Sequence, residues 1–203
     1  MHKKRILISV RAEFEGDNPA RICLQEAGFD LVEEYGGPDW TDELTMEKLP
    51  DYDGIVAGNE RFNASTMANA SRLRIVSRYG VGYDRIDLDY CTKAGVVVTN
   101  TPGVMAPAVA DLTFGLLLSM VRNIAADDAR MKSGAKSLAP IGEDLESLTL
   151  GIVGCGLIGT EVIRRAVGFG MSVVVHDPWA DTARIHGMGA DLLNLPDLLE
   201  KSD

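Results

Sequence analysis

The sequence predicts an α/β protein whose parallel sheets are covered by helices. Three observations carry this reading. Short runs rich in β-branched residues alternate with helical patterns from one end of the chain to the other. A long apolar helical stretch, Ala106–Met131, is followed by a Gly/Ser/Pro-containing segment over 133–142, which divides the alternation in two. An apolar run at Leu150–Val153 then leads straight into a glycine-rich turn. At 203 residues the chain accommodates one large domain or two small ones.

Taken in order, strands are expected at Ile6–Val10, Asp30–Glu33, Gly54–Ala57, Arg74–Ser77, Val96–Thr99, Leu150–Val153 and Ser172–His176. Between them, Pro19–Ala27, Thr66–Ala70, Leu88–Lys93, Ala106–Met131 and Ile158–Gly168 carry helical spacing or composition, with Gly28, Gly95 and Gly170 as stop signals. The turn cluster Asn100-Thr101-Pro102-Gly103 puts the domain boundary near residue 100, giving domains 1–100 and 101–203. The basic N-terminus followed by Ile6–Val10 superficially resembles a signal peptide, but the apolar run is short and lacks a small-residue cleavage site, so it reads as a first strand. The stretch Leu112–Val121 is too short to cross a bilayer, and no membrane association is expected.

The composition is that of a globular protein: 46% apolar, 25% charged and 6% aromatic residues. A net charge of -10 disfavours nucleic acid, so any bound anion must be held by local geometry. Three unevenly spaced cysteines, Cys23, Cys91 and Cys155, suit a reducing, cytoplasmic location better than a secreted disulfide scaffold.

The chemistry is concentrated in Gly154-Cys155-Gly156-Leu157-Ile158-Gly159, a Gly-x-Gly-x-x-Gly motif that follows a strand and opens an amphipathic helix. Asp177 lies eighteen residues beyond Gly159, at the end of the next strand. These are the positions of a dinucleotide site: Gly154 for the tight turn, Gly156 for approach of a pyrophosphate, Gly159 for close helix–strand packing. The amides of Leu157 and Ile158, at the helix N-terminus, offer hydrogen bonds and partial positive charge to the diphosphate. Asp177 accepts from the adenosine ribose hydroxyls and repels a 2′-phosphate, which favours NAD over NADP; a capping Asp in a βα turn is the plain structural reading. Pro178 and Trp179 either pack on adenine or begin a loop, and Cys155 is read as a small residue in a crowded turn.

Together with this fingerprint, Arg78-Tyr79-Gly80-Val81-Gly82-Tyr83-Asp84-Arg85-Ile86-Asp87-Leu88, Val97-Val98-Thr99-Asn100-Thr101-Pro102-Gly103 and Val109-Ala110-Asp111-Leu112-Thr113 make the chain resemble the D-isomer-specific 2-hydroxyacid dehydrogenases, nearest their phosphoglycerate dehydrogenase-like branch. The resemblance implies a flavodoxin-like substrate domain and an incomplete Rossmann-type NAD-binding domain. It implies that Tyr79, Gly80, Val81 and Gly82 approach the carboxylate of a small 2-hydroxy or 2-oxo acid, with Val81 also against the nicotinamide end of NAD. The residues agree, since Gly80 and Gly82 flank one small side chain and leave backbone N–H groups open to an anion.

The family's catalytic Arg, Glu and His have no counterparts here, and the chain reads as truncated before them, without closing features in Leu198–Asp203. His2, His176 and His186 are all misplaced for proton transfer, so no catalytic residue is assigned. No metal-ligand spacing, Gly-x-Ser-x-Gly elbow or P-loop is present. Two readings follow: the N-terminal portion of an NAD-dependent D-2-hydroxyacid dehydrogenase, inactive alone, or a non-catalytic NAD(H)-binding regulatory or assembly protein of the same fold. A homodimer is expected, because the helix carrying Leu112, Phe114, Leu116, Leu117, Leu118 and Met120 is too apolar for one buried stripe.

Overall fold

The computed structural model describes residues 3–10, 17–35, 40–135 and 140–203. The chain divides into two compact units, Met1–Val104 and Met105–Asp203. His2 lies outside the described residues.

The first unit holds β1 (Arg5–Ile8), α1 (Pro19–Glu26), β2 (Asp30–Glu33), α2 (Asp42–Lys48), β3 (Gly54–Ala57), β4 (Ile75–Arg78), α3 (Leu88–Ala94) and β5 (Val97–Thr99). Every strand pair is parallel, in the order β2-β1-β3-β4-β5, with Leu7 level with both Val32 and Ile55. This is the flavodoxin-like order, whose direction reverses between β1 and β3. The central strands are apolar on both faces, as a sheet covered by helices requires. Leu7, Leu49, Phe62, Leu73 and Val76 are fully buried, each contributing about 1.5–3 kcal/mol of hydrophobic stabilisation.

The second unit holds α4 (Ala106–Val121), α5 (Ile124–Lys132), β6 (Thr149–Val153), α6 (Leu157–Gly168), β7 (Ser172–His176), α7 (Thr182–Gly187), β8 (Asp191–Leu192) and α8 (Leu195–Lys201). Its sheet is parallel in the order β6-β7-β8, one half of a Rossmann arrangement. Its core joins Ile163, Val175 and Ile185 to Ala110 and Phe114 of α4, and the Phe114 ring stacks on Phe169 with centroids 5.1 Å apart.

Four sequence expectations are corrected. The long helix breaks after Val121, because Asn123 adopts a left-handed conformation at φ 55°, and the two pieces meet at 59°. No single described helix is long and apolar enough to cross a membrane. Thr66–Ala70 forms turns rather than a helix, because the Asn63 side chain captures the amides of Ser65 and Thr66. The Rossmann-type sheet has a third strand, β8, whose two residues are too few to leave a periodic signal. Finally, the last segment is anchored: Asn194 caps α8, and Asp203 pairs through Oδ2 and its amide with the amide and carbonyl of Thr149.

Candidate functional site

Two loops carry the predicted site residues, one in each unit. In the second unit, β6 ends at Val153 and the chain turns through Gly154 at φ +91°, a conformation that disfavours any side chain. Gly156 is the N-cap of α6, and a Cβ there would meet nothing within 4 Å, so the backbone face above the helix N-terminus is open. Gly159 is fixed by contact instead: its Cβ would lie 2.4 Å from the Gly154 carbonyl oxygen. Leu157 and Ile158 begin the helix with exposed side chains, which sets their amides among the first, unsatisfied donors of the helix end.

Asp177 follows β7, directly across from this turn, since Val153 pairs with His176. Its Oδ2 accepts the Cys155 amide at 2.8 Å and its Oδ1 accepts the Trp179 amide at 2.9 Å. The Cys155 amide first, and then that of Trp179, hold its carboxyl below the usual aspartate range. Asp177 therefore ties the glycine turn to the end of β7 as a charged acceptor, and each oxygen keeps a lone pair for a further donor. Trp179 is almost wholly exposed. Sequence reasoning missed Arg184, which donates to Thr160 Oγ1 in the first turn of α6 at 2.8 Å and lies near enough to lower the Asp177 pKa. Only the fold brings it there, twenty-four residues from its partner.

In the first unit, β4 leads into the loop Tyr79-Gly80-Val81-Gly82, and Tyr79 and Val81 are 44% and 40% exposed. Arg78 folds back over it: Nε donates to the Gly82 carbonyl at 3.1 Å, Nη1 to the Tyr79 carbonyl, and Nη2 to Asn59 Oδ1 at 3.0 Å. The Thr101 amide donates to the Gly80 carbonyl at 3.0 Å, and Asn100 Nδ2 to the Val81 carbonyl at 2.8 Å. All four loop carbonyls are thus occupied, while the amides of Gly80, Val81 and Gly82 donate to no described residue. A run of unclaimed N–H groups is a seat for an anion the size of a carboxylate. The clamps Asn59, Asn100 and Thr101 left no sequence signal of this role, because each contact spans distant positions.

The two described histidines both lie in the second unit. His176 Nδ1 is bonded to the Leu193 carbonyl at 3.0 Å, and His186 lies 3.7 Å from exposed Asp191. The described residues contain no cluster of three or more metal-ligating side chains. An apolar cavity of about 620 Å³ beside the first sheet, lined by Ile6, Leu24, Phe29, Ile55 and Ile75 among others, offers chiefly hydrocarbon and is a poor seat for a small acid.

A family model described as D-isomer specific 2-hydroxyacid dehydrogenase, catalytic domain, matches residues 14–193. A glyoxylate reductase of Thermococcus litoralis is 36% identical over 196 residues, covering 89% of this chain and 59% of that protein. The chloroplastic D-3-phosphoglycerate dehydrogenase 2 of Arabidopsis thaliana is also 36% identical, over 89% of this chain and 30% of its own length. Among solved structures, the TT0316 protein of Thermus thermophilus superposes with a TM-score of 0.86 at 32% identity, covering 98% of this chain and 62% of that one. A D-lactate dehydrogenase of Aquifex aeolicus, complexed with NAD and lactic acid, gives 0.80 at 27% identity, covering 98% and 59%. The chain therefore spans at most about 60% of these relatives' lengths. With the glycine turn, the acid beyond it and the amide-lined loop all within a match of this extent, the chain belongs to the D-isomer specific 2-hydroxyacid dehydrogenase family.

Proposed function

We propose that this chain forms the acid-binding loop and the NAD-binding half-site of an NAD-dependent D-2-hydroxyacid dehydrogenase. The observation that carries this reading is Asp177, a carboxylate that accepts the Cys155 amide at 2.8 Å beside an open glycine turn. Gly154, Gly156, Gly159 and the amides of Leu157 and Ile158 would hold the diphosphate, and Asp177 the ribose hydroxyls of adenosine. The bound nicotinamide would supply the hydride. Gly80, Val81 and Gly82 hold the carboxylate of the 2-hydroxy or 2-oxo acid through backbone N–H groups, with Val81 toward the nicotinamide end; the Tyr79 amide is taken by the Ala57 carbonyl at 2.8 Å, so Tyr79, expected among them, borders the loop without donating its N–H. NAD is preferred to NADP, since a 2′-phosphate dianion meets the Asp177 charge.

We assign no catalytic residue to the chain, since His176 ends the strand before Asp177 and His186 lies in the helix beyond it, and expect binding without turnover from residues 1–203. The outward face of α4, with Leu112, Leu116 and Met120 all more than 60% exposed, supports a homodimer formed through that helix. Three free cysteines, two of them buried, are in keeping with a cytoplasmic setting.

Titration of the purified chain with NADH, followed by nicotinamide fluorescence and by calorimetry, tests the reading. Saturable binding that Gly156→Trp abolishes and that NADPH competes for poorly is expected. No binding of either nucleotide would refute it, and steady reduction of a 2-oxo acid would refute the assignment of no catalytic residue.

A further inference from the structure

One buried carboxylate is left unexplained by these assignments. Glu60 is 6% exposed, and its Oε2 is buried with no hydrogen-bond partner among the described residues. It follows β3 at the carboxyl end of the first sheet, beside the β1/β3 reversal where open α/β sheets place their ligands.

Among the described residues, the surroundings offer it no donor. The Ser9 hydroxyl is occupied by the Val56 carbonyl and the Gly58 amide, at 3.1 and 3.3 Å. Gly58 presents no side chain: a Cβ there would stand 3.4 Å from both Glu60 Oε1 and Val10 Cγ1. Of the described cations near it in sequence or through Asn59, Arg78 is held on the clamp and Arg61 pairs with Asp42 at 3.5 Å. A buried acid without a partner destabilises a fold, and such groups persist where a ligand completes them. The turn that bears Glu60 is joined to the acid-binding loop by the Arg78–Asn59 hydrogen bond at 3.0 Å.

We propose that Glu60 reads the substituent on the carbon beyond C2 of the bound acid, accepting a hydrogen bond from a hydroxyl or ammonium there and excluding a phosphate. This rests on the assignment of the loop 79–82 to the acid's carboxylate. A donor completes the carboxylate, whereas a phosphate dianion would bring like charge against a desolvated one. The relatives include a phosphoglycerate dehydrogenase and glyoxylate reductases, and the inference separates this chain from acids that carry a phosphate.

Four 2-hydroxy acids sharing one carboxylate and one C2 hydroxyl make the test: lactate, glycerate, isoserine and 3-phosphoglycerate, differing only in hydrogen, hydroxyl, ammonium or phosphate at C3. Each is titrated into the 203-residue chain and followed by amide chemical shifts. Glycerate and isoserine are expected to bind about fivefold or more tighter than lactate, with 3-phosphoglycerate the weakest. Glu60→Leu should bring the first three within about twofold, and Glu60→Gln should keep the glycerate preference while losing the isoserine advantage and the phosphate penalty. Both variants should raise the Tm of the ligand-free chain. Unchanged ranking in Glu60→Leu, or 3-phosphoglycerate as the tightest ligand, overturns the proposal and leaves the acid-binding loop standing. A lower Tm in both variants shows that a cation of the chain itself satisfies Glu60, which also overturns it. Absence of binding by all four acids removes the acid-binding assignment and this inference with it.

Discussion

The Asp177 carboxylate accepts the Cys155 amide at 2.8 Å, so the acid that ends one strand braces the glycine turn that ends its neighbour. The same group serves the turn and, in the proposed function, the ribose. Asp177→Asn retains one acceptor oxygen and removes the charge. NAD affinity should fall, and its advantage over NADP should narrow by about tenfold, as read by competition calorimetry. An unchanged preference would take Asp177 out of cofactor selection.

Gly156 and Gly159 should part company on substitution. Gly159→Ala drives a Cβ into the Gly154 carbonyl and should cost about 1–3 kcal/mol of stability by urea unfolding. Gly156→Ala meets open space at a φ of −75° that alanine accepts, so stability should hold while NADH binding weakens. Equal stability losses would contradict the geometry of the turn.

Acid should weaken the fold through its depressed carboxylates. The Arg5 amide, and then Arg72, hold Asp53 below the usual range, as the Cys155 amide does Asp177. Groups whose folded pKa is lowered contribute stability that is complete above their unfolded value, about 3.9 for aspartate, and lost as pH falls through the folded value. Urea midpoints measured from pH 7 to pH 3 should stay level through this pair down to about pH 5 and then drop. Asp53→Asn should flatten part of that drop.

On α4, inner and outer faces predict different failures. Leu117 and Leu118 pack half-buried against the second unit's core, so charging them should unfold the chain rather than merely separate subunits. Leu116→Lys and Met120→Lys lie on the exposed face and should leave the Tm near that of the parent while converting dimer to monomer by light scattering. A parent chain that is monomeric at tens of micromolar would remove the dimer from the proposed function.

How much of this was legible beforehand follows the range of the signals. Seven of the eight described strands and the Gly154–Gly159 turn could be read directly, because β-branched runs and glycine spacing are local patterns. The helix break at Asn123 was not, since a single left-handed residue outweighs the apolar composition on either side. The Arg78 clamp joins positions nineteen apart through Asn59, and Glu60 is notable only because no described residue donates to its Oε2. Neither property exists until the strands have aligned. The Asn63 turn shows the converse, a local side-chain bond overriding a locally helical composition.

The Arg78 clamp also bears on how a ligand of so few atoms could be held. With the carbonyls of Tyr79, Gly80, Val81 and Gly82 already satisfied by Arg78, Thr101 and Asn100, the orientation of the loop's amides is decided during folding. Freezing a residue's backbone costs about 1–2 kcal/mol, and here that loss is incurred before any ligand arrives. A three- or four-carbon acid has too little surface to organise a mobile loop as well as bind to it. In the proposed function, the clamp would make the loop a rigid receptor whose affinity depends on fit alone.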